Sequence, residues 1–190
     1  GFGAQQAAGG LKFLFGIDSG IATQVAVIIG VTAVATISVV RGLDGGVKIL
    51  SNLNMALAAL LLVFVIVAGP TLAIFTAIGT TAMTYAETII PLSSWFGRED
   101  EKFFHGWTVF YWAWWISWSP FVGMFIARIS KGRTVREFLT AVLLVPTLVT
   151  LVWMASFGGS ALDQAQNEIG TLAKGIGEVS LAMFQMLENL

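Results

Sequence analysis

Four runs of this chain, 19–40, 49–86, 103–127 and 138–162, contain no Asp, Glu, Lys or Arg. A helix needs roughly 20 apolar residues to cross the hydrocarbon layer of a bilayer. Backbone polar groups in lipid find no water, so a spanning segment must satisfy its N–H and C=O groups internally. Soluble domains carry about 25% charged residues, whereas here 56% of residues are hydrophobic and 11% charged, with a mean hydropathy of +0.83. The expected class is an all-α integral membrane protein with about four transmembrane helices, plus amphipathic helices lying in the interface.

The same inventory removes several functions. A net charge of −1 supplies no basic field for nucleic acid. With no Cys and a single His, disulfides, iron–sulfur clusters and almost any zinc site are excluded. No span holds paired carboxylates, and no serine stands near a histidine base, so an intramembrane enzyme has little support. The opening GFGAQQAAGG lacks the Gly-Lys-Ser/Thr ending of a phosphate loop and reads as a small-residue helix end. It has neither an initiator Met nor a signal peptide, so the sequence reads as an internal piece of a longer protein.

Charge placement orders the runs. Asp18 and Ser19 supply an N-cap for a first span over 19–40. The run 49–86 is long for one helix and short for two, and Gly69-Pro70 within it reads as either a hairpin or a kink. Arg41 and Lys48 follow the first span, while Arg128, Lys131, Arg133 and Arg136 follow the run 103–127. Basic loops favour the cytoplasmic side, and both fall there only if 49–86 crosses once. A second span over 52–75 is therefore expected, with the following residues lying along the outer surface. His105 reads as an interfacial residue. The run 138–162 forms another span. Beyond it, Leu172, Ile176, Val179, Met183, Met186 and Leu190 recur at helical spacing, which predicts an amphipathic helix outside the membrane core.

Five of the seven tryptophans lie in the run 103–127, and Trp114, Trp115 and Trp118 fall near its middle. Membrane helices ordinarily keep Trp at the headgroup level. Trp107, Tyr111, Trp114, Trp118, Phe121 and Phe125 share one helical face, bordered by Phe110 and Ser117, with Trp115 beside it. Pro120 removes a backbone donor, so the carbonyl of Ile116 is expected to lose its partner, with Ser117 and Ser119 placed to repair the break. Aromatic faces next to freed oxygens suit a cation that donates no hydrogen bond. The same stripe equally suits packing against neighbouring helices.

The string WTVFYWAWWISWSPFVGMFIARISKGRTVREF, 107–138, resembles the betaine/choline/carnitine transporters, above all their sodium-coupled glycine betaine members. The opening GFGAQQ and the span pattern agree, so the resemblance covers the whole chain as a middle portion. It implies part of a LeuT-type fold of two inverted five-helix repeats. Residues 1–79 would end the first repeat, with a helix end over 1–16 and spans over 19–40 and 52–75. An extracellular interfacial linking helix would occupy 80–105. The second repeat would start over 106–158, with the tryptophan-rich span at 106–128 and another at 138–157, and 159–190 would be an extracellular amphipathic segment.

The resemblance further implies a symporter of glycine betaine and sodium in the bacterial inner membrane, homotrimeric and serving osmotic protection. Trp114, Trp115 and Trp118 would box the trimethylammonium group, with Phe110 as an aromatic gate and Ser117 beside the path. Phe121 would help hold a coupling sodium ion, and no other cofactor is implied. Carriers of choline, carnitine or ectoine are the nearest alternatives, and a non-transporting membrane subunit is the alternative from another class.

Overall fold

A computed structural model describes residues 2–94, 96–175 and 177–190, and every regular element among them is helical. Three helices are long and apolar enough to cross a membrane: Ile21–Val40, Gly45–Ala68 and Val135–Gln166. The tryptophan-rich helix has the length of a span but is less apolar, because indole, phenol and hydroxyl groups dilute its aliphatic content. Among the described residues, three of the roughly four expected spans meet this measure. The chain divides into two compact units, one comprising residues up to Ala77 with Trp153–Leu190, the other Ile78–Val152.

The first unit holds every buried residue among those described, including Ala8, Val65, Ile74, Ala155, Leu172 and Met186. Helix α1 (Phe2–Phe15) packs beside α2 (Ile21–Val40). The N-cap of α2 is Gly20, not Asp18 or Ser19. Their carbonyls instead accept from inside the helix, Asp18 O from Thr23 Oγ1 at 2.5 Å and Ser19 O from Gln24 Nε2 at 3.1 Å. A π-helical turn, Leu43–Val47, leads into α3 (Lys48–Ala68). Gly46 lies directly against the Ser38 backbone there, where any Cβ would strike the Ser38 carbonyl.

At Gly69-Pro70 the run 49–86 breaks, and α4 (Thr71–Ser93) begins. The expected single span over 52–75 is thus two helices. Pro70 cannot donate to Ile66 O, and the Thr71 hydroxyl takes that carbonyl at 2.7 Å. Gly69 leaves room for Leu190 and the Ser160 hydroxyl, 3.2 and 3.4 Å from where a Cβ would stand.

The carboxyl-terminal part of this unit departs from the amphipathic helix expected over 172–190. Leu172–Lys174 is a single 3-10 turn, and α9 (Ala182–Glu188) starts only after a non-helical stretch. Gly175, at φ +100°, takes a left-handed backbone that ends the first turn. Ile176 lies outside the described residues. Helix α9 seats Phe184 on α1: its ring lies 2.6 Å from the position of a Cβ on Gly10, and its centroid is 5.7 Å from that of Phe13.

In the second unit none of the described residues is buried. Helix α4 ends at Ser93, and the expected helix over 80–105 is interrupted by non-helical residues, Ser94 and 96–100, with Gly97 at φ +66°. One turn, α5 (Glu101–Phe103), and a π-helical turn, Phe104–Val109, lead into α6 (Phe110–Ile129). Next comes α7 (Val135–Leu139), opened by a capping box in which Thr134 and Glu137 bond reciprocally. A π-helical turn, Thr140–Leu144, joins it to α8 (Val145–Gln166). The apolar helix so formed outruns the expected 138–157 at both ends, continuing through Pro146, just past the π turn, and through Gly158-Gly159.

Candidate aromatic binding surface

Helix α6 keeps α-helical conformation through Pro120. The Ser119 hydroxyl donates to the freed carbonyl of Ile116 at 3.0 Å, which fulfils the expected repair. Ser117 donates to Ala113 O at 2.8 Å, so its proton is committed to its own helix. The expectation of an unpaired oxygen beside the rings is therefore corrected at Ile116. Polar contact with a ligand is left to lone pairs on these hydroxyls, while the rings dominate the face.

Those rings form an ordered ladder. Trp107 stacks on Tyr111 with centroids 6.1 Å apart, and Tyr111 on Trp114 at 6.2 Å and 3° between planes. Phe110 meets Trp114 edge-on at 5.5 Å and 84°. One turn further, Trp118 meets Phe121 edge-on at 6.2 Å. Spacings of three and four residues put successive rings above one another, and edge-to-face and offset contacts match the ring quadrupoles.

The sequence-predicted residues thus come together as two groups, Phe110 with Trp114 and Trp118 with Phe121. Trp115 points along another azimuth, contacts no other ring among those described, and is 69% exposed. Trp114, Trp118 and Phe121 are also exposed. A closed box around a cation needs rings on several sides. This helix alone presents rings on one side. Among the described residues no group of His, Cys, Asp or Glu is placed to hold a metal ion.

Ahead of the ladder lies a residue to which the sequence reading gave no role beyond loop charge. The guanidinium of Arg98 donates from Nε to Asp100 Oδ1 at 2.6 Å and from Nη2 to Asp100 Oδ2 at 2.5 Å. Its Nη1 donates to Leu92 O at 2.7 Å, at the end of α4. It also lies over the rings of Phe103 and Phe104, 5.8 and 5.6 Å from their centroids. The hydrogen bonds from Arg98 hold the Asp100 carboxyl below its ordinary value, and the same pairing raises Arg98. The signal available in the sequence was the local pattern Gly-Arg-x-Asp, a left-handed turn followed by opposite charges two residues apart. His105 meets Phe104 edge-on, with centroids 5.1 Å apart.

The family described as BCCT, betaine/carnitine/choline family transporter, matches residues 1–190. Glycine betaine transporter 1 of Vibrio parahaemolyticus is 62% identical over 191 residues, covering 100% of this chain and 36% of the relative. A glycine betaine/proline/choline/ectoine transporter of the same organism is 59% identical, covering 100% of this chain and 34% of its own length. The glycine betaine transporter OpuD of Bacillus subtilis is 46% identical over 177 residues, 92% of this chain and 35% of the relative. The chain thus spans about a third of the length of the curated relatives it matches. These relatives are transporters, not enzymes, and the resemblance read from the tryptophan string holds along the whole sequence: the chain belongs to the betaine/carnitine/choline transporter family.

Proposed function

We propose that this chain forms the middle of a secondary carrier that moves glycine betaine together with sodium. The observation that carries the reading is the face of α6, where exposed rings stack beside hydroxyls already engaged with their own backbone. A trimethylammonium group donates no hydrogen bond and needs none. Ring quadrupoles attract its charge, at about 0.5–2 kcal/mol per contact depending on desolvation. Trp114, Trp115 and Trp118 hold the ammonium group in this reading, Phe110 closes over it, and Ser117 borders the path. Phe121 lends its ring to a sodium ion. The names of the relatives support glycine betaine first and leave choline, proline and ectoine as further cargo.

The rest of the carrier is proposed with it. The chain supplies the end of one five-helix repeat and the start of its inverted partner in a LeuT-type arrangement, within a homotrimer in the bacterial inner membrane. The rings that complete the box come from helices beyond α6.

The test is uptake of labelled glycine betaine by proteoliposomes containing the full-length protein, under an inward sodium or potassium gradient. Accumulation that requires sodium supports the symporter. Uptake indifferent to sodium removes the role given to Phe121. No uptake of betaine, choline, proline or ectoine returns the ring ladder to a face for helix packing.

A further inference from the structure

The corner between α4 and α6 contains more bonding than a connection needs. A surface ion pair ordinarily contributes little, because water screens it and two long side chains must be ordered. Arg98 is different in three respects. Its side chain is only 11% exposed. Both ends of its planar fork are used at once, two donors on the Asp100 carboxylate and one on the carbonyl of Leu92. Its flat face lies over Phe103 and Phe104, the last residue of α5 and the first of the π-helical turn that carries Trp107.

Each contact has a consequence for direction. Leu92 O is one of the last carbonyls of α4, which have no partner inside that helix and sit at the negative end of its dipole. A guanidinium there ties the helix end to whatever else the same group holds. Asp100 is the residue just before α5, so the fork fixes the distance from the end of α4 to the start of the following helix. The Thr108 hydroxyl reaches the same Leu92 carbonyl at 3.4 Å, a second tie one turn later. A helix held at two points near its start has a fixed rotation about its axis, and rotation decides where its rings point.

We propose that Arg98 is a positioning residue for the ammonium site: by joining Leu92 O, Asp100 and the Phe103–Phe104 rings, it sets the rotation of α6 and thus the direction of its tryptophan face. The inference rests on reading that face as the site, so its test includes readouts that need no ligand. Lysine carries the charge but lacks the fork, and holds one partner at a time.

The experiment uses the full-length protein in lipid nanodiscs, as wild type, Arg98→Gln, Arg98→Lys and Asp100→Asn. Three quantities are measured: amide exchange over 101–109, collisional quenching of tryptophan emission, and glycine betaine affinity. In Arg98→Gln exchange should rise about tenfold, the effect of losing one charge-assisted hydrogen bond. Quenching should change, and betaine should bind several-fold more weakly. Lysine should restore only part of each. Asp100→Asn, which keeps the bond to Leu92 O, should fall between wild type and Arg98→Gln.

Unchanged exchange in Arg98→Gln and Asp100→Asn overturns the anchor. Faster exchange with unchanged quenching and affinity overturns the setting of the rings. If wild type binds no betaine while exchange and quenching still respond, the functional reading fails and the role of Arg98 stands.

Discussion

Trp115 is the residue on which the aromatic reading is most cleanly tested. Truncating Trp114 removes contacts to Phe110 and Tyr111 as well as any contact to a ligand. Trp115 has no ring partner among the described residues, so Trp115→Leu removes little from the chain itself. Its substitution in the full-length protein should weaken glycine betaine binding by about 1–2 kcal/mol, the size of one desolvated cation–π contact. Isothermal titration checks this, and unchanged affinity assigns the ring to packing. Asp100 gives a second expectation at this scale. Its folded carboxyl is held below the ordinary 3.8 by the bonds from Arg98. A depressed acid favours the folded corner above the ordinary value, and the benefit fades as pH falls through the lowered one. The Arg98 Nε–H resonance should therefore shift on acidification with a midpoint under 3.8, and Asp100→Asn should abolish that shift. The tryptophan face and the repair of Ile116 O were legible because both follow from counting along a helix. The Arg98 fork was not, since it joins residues across a non-helical corner whose course depends on Gly97.

At the scale of elements, hydroxyls close to proline do much of the work. Thr71 takes the carbonyl freed by Pro70, and Ser119 takes the one freed by Pro120. Removing the Ser119 hydroxyl leaves Ile116 O without that donor in a setting with little water, so Ser119→Ala should cost about 1 kcal/mol. Guanidinium unfolding of the detergent-solubilised protein would read this, and an unchanged midpoint refutes it. The attachment of α9 follows different rules. Gln164, 2% exposed, donates to Met186 O at 3.0 Å and Asn189 O at 3.1 Å, capping the last carbonyls of α9. Its own Oε1 is buried with no partner. Leucine at 164 loses the donors but also removes that unsatisfied acceptor, whereas glutamate keeps the shape and sets negative charge against a helix C-terminus. Proteolysis within 167–181 should therefore be faster in Gln164→Glu than in Gln164→Leu, and the reverse order excludes the capping role. The sequence pattern suggested one helix here because apolar spacing persists through 172–190. Glycine at 175 overrides that spacing through a backbone conformation that periodicity does not encode.

At the scale of the molecule, the apolar runs established the class before any fold was visible, because lipid permits few alternatives to a helix. What charge-free length could not resolve was the number of crossings in 49–86, since its break at Gly69-Pro70 yields two helices, each long enough by itself to span. Helix α4 differs from α3 in composition: its threonines and Glu87 leave it outside the three most apolar helices. We propose that α3 is the crossing and α4 a helix lying in the interface, an arrangement that would keep both basic turns on the cytoplasmic side. This chain contains no cysteine, so once any cysteines elsewhere in the full-length protein are replaced the arrangement is directly measurable. Single cysteines at Arg41, Glu99 and Lys131 in the full-length protein, each labelled in intact cells with a membrane-impermeant maleimide, report one side apiece. If α4 does not cross, only the cysteine at 99 reacts from outside, while those at 41 and 131 react after permeabilisation. If α4 crosses, 99 joins 41 inside and 131 becomes the reactive position. The second pattern would set the basic turn 128–136 outside and place the base of the tryptophan helix on the cytoplasmic side, reversing the direction from which a cation meets its rings.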